Sequence, residues 1–259
     1  MINEKVRKIR QRRADTAQRN RSVNKFIYIK LKFRRLLYFL AGIKLKKLSA
    51  KCRSVEDCLN LVASFNYSFL KLTTHVLIWA MQRRYEIRKF LKIFVNNRPK
   101  TILEIGTASG GTTFLLTRLS DPNALILSLD LSARRTFREI FCNRFAMYNQ
   151  KIFFLQRDSH KLSTLEELKK LLKNRQIDVL FIDGDHSYEG VKKDFEMYSP
   201  LVKKNGIIAF HDIVKVSPDF APDVEVNKFW NEIKENYDYK ELVEDWNQEW
   251  GGIGLIKIK

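Results

Sequence analysis

Residues 101–113 read TILEIGTASGGTT: five strand-forming positions run without a break into a turn built on Gly106 and Gly110, and a helix-like run follows at once. Strand, tight glycine turn and helix in thirteen residues is the opening unit of a parallel α/β sheet. The pattern repeats downstream. ALILSLD (124–130), KIFFLQ (151–156), DVLFID (178–183) and GIIAFHD (206–212) are short apolar runs. TTFLLTRL, ARRTFREIFCNRFAM, TLEELKKLLKN and YEGVKKDFEMYSPLV separate them with helical spacing. Apolar strands alternating with helices predict a parallel sheet covered on both faces. KELVED (240–245) and GGIGLIKIK (251–259) have no helix between them and predict a closing antiparallel pair. The expected fold class is α/β: doubly wound, Rossmann-like, a mostly parallel seven-stranded sheet with an antiparallel last strand, behind a helical N-terminal extension.

Upstream of Lys100 the composition changes. Residues 1–53 hold 18 Lys/Arg against two acids, Glu4 and Asp15, whereas the other 206 residues hold 30 against 27. The formal charge of +19 is therefore concentrated in an N-terminal arm. Three units follow: a basic arm over 1–53, a helical segment over 54–98 packing on the domain, and the α/β domain over 99–259. Residues 1–24 read as a tail or frayed helix. Residues 25–48 interleave apolar residues and cations, with Leu36, Leu37, Leu40, Ile43 and Leu48 able to share a helical stripe, although FIYIKLKF could alternate as a strand. Residues 54–97 read as helical, with Ser54 as a cap and apolar positions at Leu61, Phe65, Phe69 and Leu72.

The basic start is not followed by the apolar core and cleavage site of a secretory signal. The longest strongly apolar run, LLYFLAGI, has eight residues, against ~20 needed to span a bilayer. Cys52, Cys58 and Cys142 form no C-x-x-C pair, so the pattern suggests neither a zinc ribbon nor a disulfide scaffold. A cytoplasmic protein is expected, with peripheral contact at the inner membrane surface through the arm.

The glycine turn invites a ligand to the backbone, and the helix N-terminus behind it offers N–H groups. Glu104 at the turn would repel a pyrophosphate but suit a cation. Asp130 ends the second strand 20 residues after Gly110, the spacing of an acid that binds ribose hydroxyls. An adenosine ligand with positive charge and no phosphate fits both acids, and S-adenosylmethionine matches that description.

A second cluster raises a harder question. LFIDGDHSYEG (180–190) ends a strand with Asp183, Asp185 and His186 crowded together, and His211–Asp212 end the next strand. Unpaired buried carboxylates are costly, so the cluster is either a solvated turn with Ser187 capping the next helix or a site. LEIGTASGGTT, Asp130 and FIDGDH together resemble the class I S-adenosylmethionine-dependent methyltransferases. Within these the chain is most similar to the metal-dependent O-methyltransferases grouped with the cephalosporin-hydroxylase-like proteins and macrolide-sugar enzymes, and more distantly to catechol O-methyltransferase. The resemblance runs from about Gln82 to the C-terminus.

It implies that Glu104, Gly106, Ala108, Gly110 and Thr112 surround the methionine part of the cofactor, that Asp130 binds the ribose, and that Asp158 and Ser159 lie beside the adenine. A cap before the following helix is the competing role for Asp158. It also implies a divalent cation, Mg²⁺ or Mn²⁺, on Asp183, His211 and Asp212, with Asp183 and His186 as catalytic residues and His186 as the base. His211 departs from the family's carboxylate: either it softens the site towards Mn²⁺, Fe²⁺ or Zn²⁺, or it faces away and the metal is lost. The acceptor would be a hydroxyl of a small molecule or glycan, its pocket formed by loops at 186–190, 213–226 and 245–252. Trp246 and Trp250 could line it; Trp79 and Trp230 read as core, and His75 and His160 as core or surface.

Two other functions compete. Nucleic-acid methylation would use the basic arm, but the Asn/Asp-Pro-Pro-aromatic stretch that grips a flipped base is replaced by DGDH. A non-catalytic cofactor-binding domain tethered by its arm is the other. Expected partners are the hydroxyl acceptor, an anionic membrane surface through residues 1–53, and a second copy of the chain, but not nucleic acid.

Overall fold

The computed structural model of the chain describes residues 28, 31–68, 75–131, 138–217, 219 and 221–259. The tail expected over 1–24 lies outside them. Helix α1 spans 31–49 and α2 spans Val55–Ser64. A short hairpin follows, β1 Asn66–Ser68 and β2 His75–Leu77, then α3 Arg84–Asn97. The domain proper continues as β3 Thr101–Ile105, α4 Gly111–Leu119, β4 Leu125–Leu129, α5 Arg138–Cys142, β5 Lys151–Leu155 and α6 Leu162–Leu172. It closes with β6 Ile177–Ile182, α7 Tyr188–Tyr198, β7 Val202–His211, α8 Val226–Ile233, β8 Asp238–Leu242 and β9 Ile253–Lys257.

The seven-stranded sheet runs β5-β4-β3-β6-β7-β9-β8. Strands β3 to β7 are parallel, and β9 enters antiparallel between β7 and β8. This is the expected architecture. Its two faces follow from side-chain alternation along each strand. Ile102, Ile126, Val179 and Phe181 join one core with apolar residues of α1 to α5. Leu103, Ile105, Leu127, Leu180 and Ile182 join the other, under α6, α7 and α8. Trp230, fully buried against Phe210 and Gly254, anchors that second face, in keeping with its core assignment.

The extension differs from the uniform helix expected over 54–97. Ser54 does cap α2, in a reciprocal capping box with Asp57. The chain then pairs Tyr67 with Val76 in the β1–β2 hairpin. Val76 and Ile78 are buried while Leu77 between them is exposed, a period of two that the helical spacing at Leu61, Phe65 and Phe69 masks. Trp79, read as core, is 52% exposed. In α3 the buried positions Ile87, Phe90, Leu91 and Phe94 make one helical stripe against the sheet.

Residues 31–49 are helical, including 31–33 at the end of the FIYIKLKF run, the rest of which, apart from residue 28, lies outside the described residues. The stripe that docks is Leu37, Ala41 and Leu45, all at or below 1% exposure, with Leu48 partly buried beside it. Each buried leucine contributes about 1.5–3 kcal/mol, so α1 is held firmly. Leu36 and Ile43, expected on the same stripe, point to solvent instead. Arg144 stacks on Phe39, Arg118 donates to the Ser49 carbonyl at 3.0 Å, and Tyr38 meets Phe141 edge-on.

Candidate active site

The turn after β3 needs glycine for a steric reason. A Cβ at Gly106 would lie 1.8 Å from the Asp183 carbonyl oxygen, and the residue has φ +96°. The backbone of the first turn thus touches the end of β6, drawing the two acid-bearing segments together. Ala108 also takes positive φ, and its N–H donates to Asp130 Oδ2 at 2.9 Å. A cleft of about 700 Å³ opens here over the carboxyl ends of the strands. Its wall includes Gly106, Ala108, Asp130, Asp158, Ser159, Asp183 and His186, the expected contacts among them.

Glu104, Gly110 and Thr112 are not on that wall. Glu104 is fully buried on the opposite side of the turn, accepting from Ser128 Oγ at 2.6 Å and Thr113 Oγ1 at 2.5 Å. Burial pushes its carboxyl up to about 8 in spite of those two hydroxyl donors. It is an internal acid beneath the turn and does not line the cleft. Gly110 caps α4 with φ +85° against Cys142 and Phe145. Thr112 Oγ1 donates to Gln82 Oε1 at 2.8 Å.

Asp158 is not the cap of α6, whose N-cap is Lys161. Its Oδ1 accepts from the His160 N–H at 3.0 Å, which folds the 158–160 loop along the cleft. His160, read as core or surface, is on the cleft wall, with Nε2 3.3 Å from buried Asp194. Burial raises the Asp194 carboxyl to about 6. The side chain of His75 lies outside the described residues.

The 183–187 cluster divides its labour. Asp185 is the turn: its Oδ1 accepts from Ser187 N–H and Oγ at 3.0 and 2.7 Å, and Ser187 caps α7. Asp183 and His186 turn towards Asp212, whose backbone sits at φ +61°, a strained conformation that Asp tolerates better than most residues. Asp183, His186 and Asp212 present one donor atom each within 4.8 Å of one another. His186 Nδ1 is 2.8 Å from Asp212 Oδ2 and its Nε2 is 4.0 Å from Asp183 Oδ1.

His211 takes a different place from the ligand role expected of it. It is buried behind the carboxylates, with Nδ1 3.1 Å from Asp183 Oδ1 and 3.3 Å from Asp212 Oδ2. Burial opposes its protonation, yet the two carboxylates raise its pKa well above the ordinary histidine value. Burial likewise opposes ionisation of Asp212, but His211 and His186 hold its carboxyl well below the usual range. The hydrogen bond that His186 Nδ1 donates to Asp212 is the main cause that raises the His186 pKa.

Sequence reasoning missed the residue that orients Asp183. Gln82 Nε2 donates to Asp183 Oδ2 at 2.7 Å, so one buried amide joins Thr112 of α4 to the end of β6. The signal was its position just before the helix that leads into β3. Gln248 and Glu86 went unseen too. Gln248 Nε2 donates to Glu86 Oε1 and to the Trp250 carbonyl, tying the 245–252 loop to α3. Trp250 lies 6.4 Å from the His211 ring and Trp246 is exposed.

Residues 103–213 match a family model described as a methyltransferase domain. An uncharacterized protein of Acanthamoeba polyphaga mimivirus is 32% identical over 128 residues, 48% of this chain and 57% of its own length. One of Sinorhizobium fredii is 28% identical over 123 residues, 44% of this chain and 13% of its own. The matched stretches thus span only about half and about an eighth of these relatives. Among solved structures, an O-methyltransferase from Bacillus cereus in complex with SAH superposes with a TM-score of 0.51 at 19% identity, covering 82% of this chain and 96% of that one. A putative O-methyltransferase from Klebsiella pneumoniae gives 0.54 at 18%, covering 82% and 94%. A putative caffeoyl-CoA O-methyltransferase from Staphylococcus aureus gives 0.52 at 19%, covering 84% and 98%. Likeness at that identity is likeness of fold. With the glycine turn, the strand order and the cleft already in place, residues 103–213 of this chain match the methyltransferase-domain model, and the chain has the Rossmann-like fold of those solved structures.

Proposed function

We propose that the protein transfers a methyl group from S-adenosylmethionine to a hydroxyl oxygen of a small molecule or sugar, assisted by a divalent cation. The observation that carries this reading is the meeting of Asp183, His186 and Asp212 within 4.8 Å on the same cleft as Asp130 and Asp158. Asp130 would accept from the ribose hydroxyls, with Asp158 and Ser159 at the adenine end. The O-methyltransferases that share this fold agree with the reading.

Two carboxylates and an imidazole are a donor set that fits a hard or borderline divalent ion. Asp183 and Asp212 would hold it, with His186 beside them. Such an ion, when bound, supplies positive charge that lowers the pKa of an acceptor hydroxyl. The chain's own residues do the rest. Gln82 and His211 hold Asp183 in place, and Asp212 engages His186 Nδ1. Nε2 is then the nitrogen left to take a proton from the acceptor. S-adenosylmethionine held along Asp130, Asp158 and Ser159 would supply the methyl group to the acceptor oxygen, its sulfonium becoming a neutral thioether as the carbon–sulfur bond breaks. In-line positioning in the cleft supplies much of the acceleration.

The test is a methyl-transfer screen with labelled cofactor over sugar and phenolic acceptors, with Mg²⁺, Mn²⁺ or excess chelator. Turnover should require metal, and chelation or Asp183→Ala should abolish it while circular dichroism stays unchanged. Undiminished turnover in chelator would remove the cation from the mechanism. A rate for His186→Ala equal to wild type across the pH profile would remove the base.

A further inference from the structure

Helix α1 has an outer face that is exposed among the described residues. The helix carries six Lys/Arg and no acid over 31–49. At 100° per residue, Lys32, Leu36, Ile43 and Lys47 fall within an arc of about 60°, on the side away from Leu37, Ala41 and Leu45. Leu36 and Ile43 are 47% and 45% exposed, and Lys32, Lys46 and Lys47 are exposed around them. Two aliphatic side chains held in water between lysines are what an interfacial helix presents, not a solvated face. At the flank of this face, Lys44 lies over the Tyr67 ring of β1.

From this geometry we infer that the outer face of α1 docks the protein on an anionic phospholipid surface. Charge complementarity selects the occupant. Residues 16–55 hold twelve cations and no acid, and residues 1–15 before them add six cations against two acids. The remainder of the chain is nearly neutral, so the positive charge is one-sided along the sequence. A nucleic-acid groove would use the lysines but leave Leu36 and Ile43 in water, whereas acyl chains bury them beneath the headgroups. Among the described residues no helix is long and apolar enough to cross a membrane, and α1, about 28 Å long, would lie in the plane of the interface.

Flotation of the full chain with vesicles of neutral phosphatidylcholine, or of phosphatidylcholine with about a third phosphatidylglycerol, tests the inference. At low salt the chain should float with the anionic vesicles only, and high salt should release it. Lys32→Gln/Lys46→Gln/Lys47→Gln should cut partitioning about a hundredfold, roughly fivefold per lysine. Leu36→Asn/Ile43→Asn should cut it at least tenfold at unchanged charge. All five positions are exposed, so both variants should melt with the wild type. Equal flotation by wild type and both variants would overturn the inference by moving the contact elsewhere. Flotation on neutral vesicles to the same extent, or binding of polyuridine RNA without any binding to vesicles, would overturn it as well.

Discussion

Replacing Glu104 by glutamine should make the folded chain less sensitive to alkali and, above neutrality, more stable. A glutamate ordinarily ionises near 4.5, whereas burial holds Glu104 to about 8. The folded state therefore keeps a proton that the unfolded state releases between those values, and stability falls as pH rises through that window. Each tenfold step in proton affinity is worth about 1.4 kcal/mol, so Glu104 costs about 3 kcal/mol at pH 7 and about 5 kcal/mol once the pH passes 8. Below about pH 4.5 the cost vanishes. Glutamine keeps the acceptor for Ser128 and Thr113, while its amide nitrogen takes the place of Oε1, which is buried without a hydrogen-bond partner. A protonated glutamate would leave its own donor there in the same state. At pH 5 the two proteins should therefore unfold in urea within about 1 kcal/mol of each other. By pH 8 Glu104→Gln should be ahead by several kcal/mol, with a higher midpoint and the same slope. Other titrating groups, Asp194 among them, cancel in the difference. Parallel stability profiles from pH 5 to 8 would refute the reasoning, because they would mean that Glu104 ionises as it would in water.

Gln82→Met fills the space of Gln82 but loses both of its hydrogen bonds, so turnover should fall at least tenfold while cofactor affinity by calorimetry changes less than threefold; equal losses in both would make Gln82 a binding residue. Asp130→Ala should weaken S-adenosylmethionine binding by about 1–3 kcal/mol in the same calorimeter, as expected for hydrogen bonds to a charged group, and unchanged affinity would take Asp130 out of the site.

What could be read from the chain alone followed the range of the interactions involved. Strand–helix alternation is local, and β3 to β7 were each visible as apolar runs; the antiparallel β8–β9 pair was visible because no helix lies between them. The β1–β2 hairpin was not, because a three-residue strand offers too few alternations to outvote the helical spacing around Leu61 and Phe65. At the site, the residues legible in sequence were those whose roles follow from strand ends: Asp130, Asp183, His186 and Asp212 all sit where a parallel sheet opens its crevice.

The positions that lie elsewhere than their place in the motif suggested share a different cause. Alternation along β3 sends Glu104 to the face that Ile102 occupies, so an acid adjacent to the glycine turn in sequence ends up beneath it in space. The end of β7 also separates neighbours: His211 turns inward at 3% side-chain exposure, and Asp212, past the strand, meets His186 at positive φ. A residue's distance along the chain from a motif thus said less than the parity of its position on the strand. Gln82 was hidden for the converse reason. It lies 101 residues from Asp183, and only the packing of the segment before α3 across the end of β6 brings amide to carboxylate. That bond ties the segment before α3, which the methyltransferase match at 103–213 leaves out, to the candidate site at Asp183.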